Sequence, residues 1–411
     1  MSVTIERQPE DFQPVFNQNR WIVESNNIAQ PNFEYICDVY VNGGVSYIAR
    51  LKRFPDSDGY GDFDLSRVLA DYVSVTLADS GDNGFNLHRS HYVNYVLKFG
   101  EIYNGTTYTN LTVTSTQVAL MMALSFNQFY DYDYEQYASG IGSPSVDIKF
   151  LTNSPRTLKA RRNGYAELHF LNATSLNSDY LKINTYLPSG SLIDTYTIDN
   201  PYTNVTSQNK WVSVGVGIYN LNTATLSSGV QLVVDDDAGS YDVALYDSSN
   251  NRTSEIFTFN IDDTCNRYEG KHIKFLNRLG GFDTFFFSSN ENVFVDVNNR
   301  EQYTKLAGTV SGSPVTWGYN LSDRGQKVIT VDSQERTILK SGALTDAEYV
   351  WLRELITSPE VYAVETYNGT IYDRPIVITT SSYEEVYKRN KKMSQLTLEY
   401  RYAHKENIQM L

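Results

Sequence analysis

Cysteine is almost missing from this chain: Cys37 and Cys265 are the only two in 411 residues, and they lie far apart. Neither has a second ligand type beside it, which argues against a disulfide framework or a zinc knuckle and fits synthesis in a reducing compartment. Long apolar runs are missing as well, since no stretch approaches the roughly eighteen residues of a membrane-spanning helix. The opening MSVTIERQPEDFQ has neither the basic head nor the apolar centre of a secretory signal, so export by that route is not expected. Positive charge is in deficit. The 34 Lys+Arg against 48 Asp+Glu leave a net charge of −14, which repels nucleic acid and anionic membrane unless a local patch overrides it. The basic clusters, Arg161-Arg162 and Lys388, Arg389, Lys391 and Lys392, read as solvated turns or strand edges rather than phosphate sites.

Catalytic signatures are equally scarce. No G-x-S-x-G, H-E-x-x-H or phosphate-binding loop occurs, and Gly280-Gly281 lacks the third glycine and following helix of a dinucleotide loop. The histidines His88, His91, His169, His272 and His404 are scattered. His88 and His91 are neighbours, but no third ligand stands near them in sequence, so no metal is assigned. Asp56, Asp58, Asp62 and Asp64 crowd around glycines, and Asp235-Asp236-Asp237 forms a second acidic cluster. Calcium favours such turns, yet Gly59 comes too early and no Glu closes the loop as in an EF-hand. A solvated turn and helix cap is the preferred reading, with structural calcium near Asp56–Asp64 as the weaker one. Carboxylate pairs for glycoside hydrolysis are set in space and are not legible here. No catalytic residue or cofactor is expected, and the chain reads as a non-enzyme.

What is abundant is strand and turn chemistry. There are 32 Tyr and 19 Phe, set with Thr and Val among Asn, Asp, Ser and Gly, so the chain is expected to be mainly β, with several modules and a few short helices. ICDVYVNGGVSYIARL alternates around Asn42-Gly43 and predicts a hairpin. Asp64 is placed to cap a short helix carrying Leu65, Val68, Leu69 and Tyr72. HYVNYVLKFGEIYNGTTYTNLTVT predicts a second hairpin at Asn104-Gly105, whereas TQVALMMALSFNQFYDYDYEQYA reads as a helical turn or two or as an ordered loop. The triplets at Asn104, Asn172 and Asn368 match a glycosylation pattern but reflect the high Asn and Thr content.

SGIGSPS (139–145) and Asp262-Asp263-Thr264 mark boundaries, giving modules at 1–140, 146–263 and 264–411. The middle one, with short runs from DIKFLT through YAELHFLN, YLKINTYL, KWVSVGVGIYNL, GVQLVVD and YDVALYD to SEIFTFNI, predicts a β-sandwich. The last combines strands such as NVFVDVN and KVITVD with one helix, and reads as a β-barrel or small sheet. That helix is opened by a Thr345/Glu348 capping box and stopped at Ser358-Pro359. The echo of Tyr103-Asn-Gly-Thr-Thr-Tyr108 in Tyr367-Asn-Gly-Thr-Ile-Tyr372 reads as shared turn chemistry rather than duplication.

Two aromatic stretches are the candidate contact surfaces. In HIKFLNRLGGFDTFFF (272–287) the glycines read as turn residues, and Phe282, Phe285 and Phe286 as core and interface filling. In the acidic, Tyr-rich loop, the aromatics Phe126, Phe129, Tyr130, Tyr132, Tyr134 and Tyr137, with Tyr130, Tyr132 and Tyr134 foremost, suit protein contact better than a carbohydrate platform, because Tyr covers much area at modest entropic cost.

Four landmarks, DFQPVFNQNRWIVES, DGYGDFDLSRVL, KFLNRLGGFDTF and the terminal LTLEYRYAHKENIQ, reach both ends of the chain. With them the sequence resembles structural proteins of tailed bacteriophages infecting Bacteroidota, including crAss-like phages. The resemblance implies a virion component of the tail, neck or baseplate, made in the bacterial cytoplasm. It further implies a homo-oligomeric ring, six- or twelvefold, in contact with other tail or neck proteins. The alternative is a distal-tail or baseplate module that recognises host-surface polysaccharide; a glycan hydrolase ranks last.

Overall fold

The computed structural model describes residues 3–139, 147–172, 178–203, 210–224, 226, 234–264, 270–305, 308–322, 325–380 and 395–404. Among the described residues strands hold 50% and helices 9%, so the protein is mainly β and built of several sandwich-like modules. Cys265, the Lys388–Lys392 basic run and most of SGIGSPS and GVQLVVD lie outside the described residues.

The first module packs a three-stranded sheet (Val3–Arg7, Arg20–Ser25, Gly61–Asp64) onto a six-stranded one centred on Glu34–Val41 and Tyr92–Tyr103. Alternation does the work: Trp21 and Val23 from one sheet meet Tyr35, Cys37, Val39, Leu97 and Phe99 from the other in a closed core. Burial pushes the Cys37 thiol up, which keeps it protonated and inert. The hairpin at Asn104-Gly105 pairs Tyr103 with Thr106, and its echo pairs Tyr367 with Thr370. Both use an Asn-Gly pair at positive φ (51° and 73°; 51° and 79°), the geometry that matches strand twist. The six-residue echo is therefore one turn type used twice. Asp64 is not the helix cap. Leu65 takes that place before Ser66–Ala70, while the Asp64 carboxylate accepts from the backbone N–H groups of Asn19 and Ser66.

The middle sandwich faces a four-stranded sheet against a five-stranded one, with Phe170, Val212 and Val214 meeting Ile183, Val243, Leu245 and Phe257. Two strands of the smaller sheet come from the first 140 residues: Phe85–Leu87 pairs with Trp211–Gly215, and Ala138–Ser139 with Glu167–Asn172. Two expected strands differ. DIKFLT contributes only an isolated bridge at Ile148, and KWVSVGVGIYNL turns after Gly217 into the helix Ile218–Thr223. The Gly217 Cα lies so close to the Gly164 carbonyl and the Ala166 amide that no side chain fits there.

The last module is an antiparallel sheet of seven strands running from Phe282–Phe287 at one edge to Asn290–Thr304 at the other, rather than a closed barrel. Trp351, Leu352 and Leu355 of the capped helical segment 346–357 pack on it, and the Thr345/Glu348 box forms as expected. Its edge strands continue into an arm. Asn290–Thr304 pairs with Gln326–Lys340 along their whole length, whereas only Thr337–Lys340 also pairs with Thr397–Tyr402. Beyond that point, among the described residues, the two strands pair only with each other, in a ribbon tipped by a small hairpin of Thr309–Ser311 and Thr316–Gly318.

Candidate assembly surfaces and the module junction

The Phe-rich hairpin pairs Lys271–Leu276 with Phe282–Phe287, and its turn sits where all three modules meet. Asn277 donates to the Leu151 carbonyl at 2.9 Å, and the Ala123 amide donates to the Arg278 carbonyl at 2.9 Å. Gly280, at φ 80°, lies against the Met121 carbonyl and the Trp211 ring, and Gly281 against the Leu151 carbonyl. The glycines are turn residues of a junction, as their sequence suggests, but the junction is internal. Phe282 is fully buried in this chain beside His169 and Tyr362, so it offers no area to a partner. Phe285 and Phe286 are half-buried against Trp351, His272 and Arg161, lining a cavity of ≈ 100 Å³ between the sandwich and the last sheet. Their interface is the seam between modules.

Beneath that hairpin lies a polar network that sequence spacing hides. His169, from the sandwich, comes within 5.0 Å of His88 and 6.5 Å of His91, ring centre to ring centre. Among the described residues, no group of side chains has the geometry to hold a metal. Each ring has a different use. His88 bonds the Thr76 carbonyl and Ser213, His91 accepts from the Thr76 amide at 2.8 Å, and His169 accepts from the Trp211 indole at 3.2 Å. Burial, reinforced by the neighbouring rings, lowers His88 to about 4 and His91 to about 2.

Lys274, only 1% exposed, reaches into the same network. It donates to the Ala78 carbonyl at 2.6 Å and pairs with Glu167 at 3.0 Å, with Asp373 at 4.0 Å. Burial pushes the Glu167 carboxyl up, but Lys274 and His169 more than offset it and leave it at about 2. One ammonium thus clamps all three modules. Asp283, buried against the Trp351 indole at 2.7 Å, is pushed up to about 7 by burial.

The charge clusters are largely committed within the chain. Arg162 grips Asp263 at 2.7 Å and the carbonyls of Asp235 and Asp236, which joins the expected basic pair to the second acidic cluster. Asp56 accepts the amides of Asp58 and Tyr60, and Asp62 pairs with Arg20. With Asp64 holding Asn19 and Ser66, the turn-and-pairing reading of the Asp56–Asp64 cluster accounts for these carboxylates.

The Tyr-rich loop is ordered by ties to the segment before Asn19. Asn17 exchanges two hydrogen bonds with Leu124, and a Ser125/Gln128 capping box starts the helix Phe126–Tyr130. The Tyr132 hydroxyl donates to the Phe12 carbonyl, Tyr134 stacks on Phe12 at 5.4 Å, and the Tyr134 amide donates to Glu10. Tyr132 and Tyr134 are therefore half-buried positioning residues, and burial raises both phenols. What they position is an open cleft of ≈ 790 Å³ whose exposed aromatics are Phe16, Phe126 (85%) and Tyr130 (83%). Burial, with smaller help from the nearby Asp133, Glu135 and Asp11, raises the Glu10 carboxyl, and Arg7 and Arg20 line the same cleft. Phe126 and Tyr130, both in the aromatic run expected from sequence, are exposed together here, and Phe16, which local sequence pattern did not single out, joins them from the segment before Asn19.

No family model and no curated protein matches this chain. Among solved structures, the native E. coli α2-macroglobulin overlaps at a TM-score of 0.19 with 7% identity, covering 82% of this chain and 22% of that one. A marsupial T cell receptor overlaps at 0.18 with 7% identity, covering 83% and 96%. Latent PorU from Porphyromonas gingivalis overlaps at 0.17 with 10% identity, covering 82% and 32%. This chain thus spans less than a quarter of the length of the E. coli protein. Overlaps this loose carry no argument about fold or role. No helix among the described residues is long and apolar enough to cross a membrane.

Proposed function

We propose that this chain is a structural virion protein of a tailed bacteriophage, one of several copies that close a ring in the tail or neck. The observation that carries the reading, beside the sequence resemblance, is the pinned aromatic cleft. Phe126 and Tyr130 present large apolar area on a loop ordered in advance by Asn17, Ser125 and Tyr132, so little entropy is lost when a partner covers them. The clamped junction suits a load-bearing subunit, because it holds three modules as one body. Mass photometry and negative-stain imaging of the purified chain test this. Closed rings, or co-purification with other tail or neck proteins, are expected; a persistent monomer refutes it.

The same cleft favours a second reading, a distal-tail module that recognises host polysaccharide. Exposed Phe126 and Tyr130 stand beside the polar groups of Glu10, Gln13 and Gln18, the mix that sugar rings recognise. Binding of capsule polysaccharide that is lost in Tyr130→Ala supports this alternative. Tyr132 is the wrong residue for that test, since its hydroxyl holds the loop.

A further inference from the structure

Lys274 stands between two carboxylates where the modules meet. Its side chain is 1% exposed, that of Asp373 2% and that of Glu167 9%. The ammonium lies 3.0 Å from Glu167 Oε1, yet off the hydrogen-bonding line, so that buried oxygen keeps a lone pair without an aligned donor. Asp373 Oδ2 is 4.0 Å away, too far for a hydrogen bond to Lys274. Ser80 holds that carboxyl instead, its amide donating to Oδ2 at 2.8 Å and its hydroxyl to Oδ1 at 2.7 Å. The Phe282 ring closes one side at 5.3 Å from the ammonium. Strand register explains the meeting. Lys274 lies opposite Tyr362, which lies opposite Pro375, two residues beyond Asp373, so lysine and aspartate share one sheet face across the strand Val361–Tyr367. The two carboxyls have opposed environments. Burial raises Asp373 against the pull of Lys274 and Ser80, whereas Glu167 is held at about 2 despite its burial. Carboxyls pushed apart in this way suit different roles, an acceptor of attack and a carrier of protons.

We propose that Lys274 and Asp373 join in an amide (isopeptide) bond, with Glu167 carrying the protons. An ammonium and a carboxylate together give an amide and one water, with no oxidant or co-reactant. Glu167 takes a proton from Lys274 and passes it to Asp373 Oδ1. The neutral Nζ then attacks Asp373 Cγ, and the Ser80 amide holds the charge that builds on Oδ2. A second proton leaves the nitrogen by way of Glu167, the Cγ–Oδ1 bond breaks, and Oδ1 departs as water. A cavity of ≈ 10 Å³ bounded by Ser80, Glu167 and Lys274 has room for about one such molecule. Closing the 4.0 Å gap to the roughly 3–3.5 Å of an attacking pair takes less than about 1 Å of movement. Glu167 gives up its charge reluctantly, so the neutral amine is scarce. The freshly folded chain therefore holds the ion pair, and the bond accumulates from it with time. Once formed, it ties the junction hairpin strand Lys271–Leu276 to Thr370–Ile378, so tension on the junction turn passes through a covalent link.

The test is the intact mass of the full wild-type chain, purified promptly and then held for several days at neutral pH below its melting temperature. The mass should fall by that of one water, and tryptic peptides containing Lys274 and Asp373 should be recovered joined. Lys274→Arg, which keeps the positive charge, should keep its full mass. Glu167→Gln, with circular dichroism to verify folding, should slow the loss of water about a hundredfold or more. An unchanged wild-type mass overturns the proposal without recourse to any variant. So does water lost with no joined peptide, as from a succinimide at Asp58-Gly59, or a joined peptide that pairs Lys274 with Glu167. Bond formation at the wild-type rate in folded Glu167→Gln overturns the proton carrier. Ring assembly is read separately by mass photometry, so these results leave the virion reading where it stands.

Discussion

Replacing Lys274 by Met removes the charge that joins the three modules while nearly preserving side-chain volume. In the native protein Glu167 has a pKa of about 2 against 4.5 for an ordinary carboxyl. A carboxylate depressed in this way contributes stability that is fully present above 4.5 and lost as pH falls toward 2, about 3 kcal/mol in all. Deleting one partner of a buried pair typically costs about 3–5 kcal/mol, because the other charge is left unpaired, so the two routes agree in size. In Lys274→Met, burial acts on Glu167 without its largest opponent, and its pKa should rise above 4.5. The sign of this group's linkage then reverses: the variant's loss relative to the native protein should shrink as pH falls from 7 toward 5, because the buried carboxyl takes up a proton, whereas the native pair gives no such gain. Denaturant unfolding followed by tryptophan fluorescence at pH 7 and pH 5 measures both effects. Lys274→Met/Glu167→Gln should recover most of the loss at pH 7. A single-variant loss under about 1 kcal/mol, or no pH-dependent recovery, would refute the clamp.

Three further outcomes follow from the same junction. His88, His91 and His272 are held at about 4, 2 and 3, first by burial, below the ordinary 6.5. The folded chain therefore resists protons that the unfolded chain accepts, and stability falls below pH 6.5 by about 2 kcal/mol per ring by pH 5. Asp283, at about 7, opposes this, since its burial penalty is relieved as pH falls below 7. Melting curves should still shift down between pH 7 and pH 5, and an upward shift would contradict the histidine account. Gly280→Ala should cost about 3 kcal/mol or more, because its Cβ would overlap the Met121 carbonyl at positive φ, whereas Gly105→Ala, in open space, should cost about 1 kcal/mol. Equal losses in chemical denaturation would count against the packed turn. Phe285→Asp, replacing a ring that packs 5.1 Å from the Phe287 ring centre and 6.0 Å from that of Trp351, and Phe286→Asp beside His272 should lower the melting temperature before any effect on assembly. Native melting in either variant with assembly lost would move these residues back to the outer surface.

Sequence alone determined the features whose causes lie within a few residues. The Asn-Gly hairpins, the Thr345/Glu348 cap and the period-two sandwich strands follow from local backbone chemistry, and so does the mainly β class. Only tertiary structure decided what required distant groups to meet. Phe282 reads as an interface residue because it is aromatic; it is buried because Tyr362 and His169 arrive from elsewhere. His88 and His91 look alone until a sandwich strand brings His169 between the modules. NVFVDVN and KVITVD are legible as strands, yet that they pair with each other beyond the last strand that joins them to the sheet depends on where the sheet ends. Strand periodicity specifies which side chains share a face, and only the assembled sheets specify whether anything lies against it.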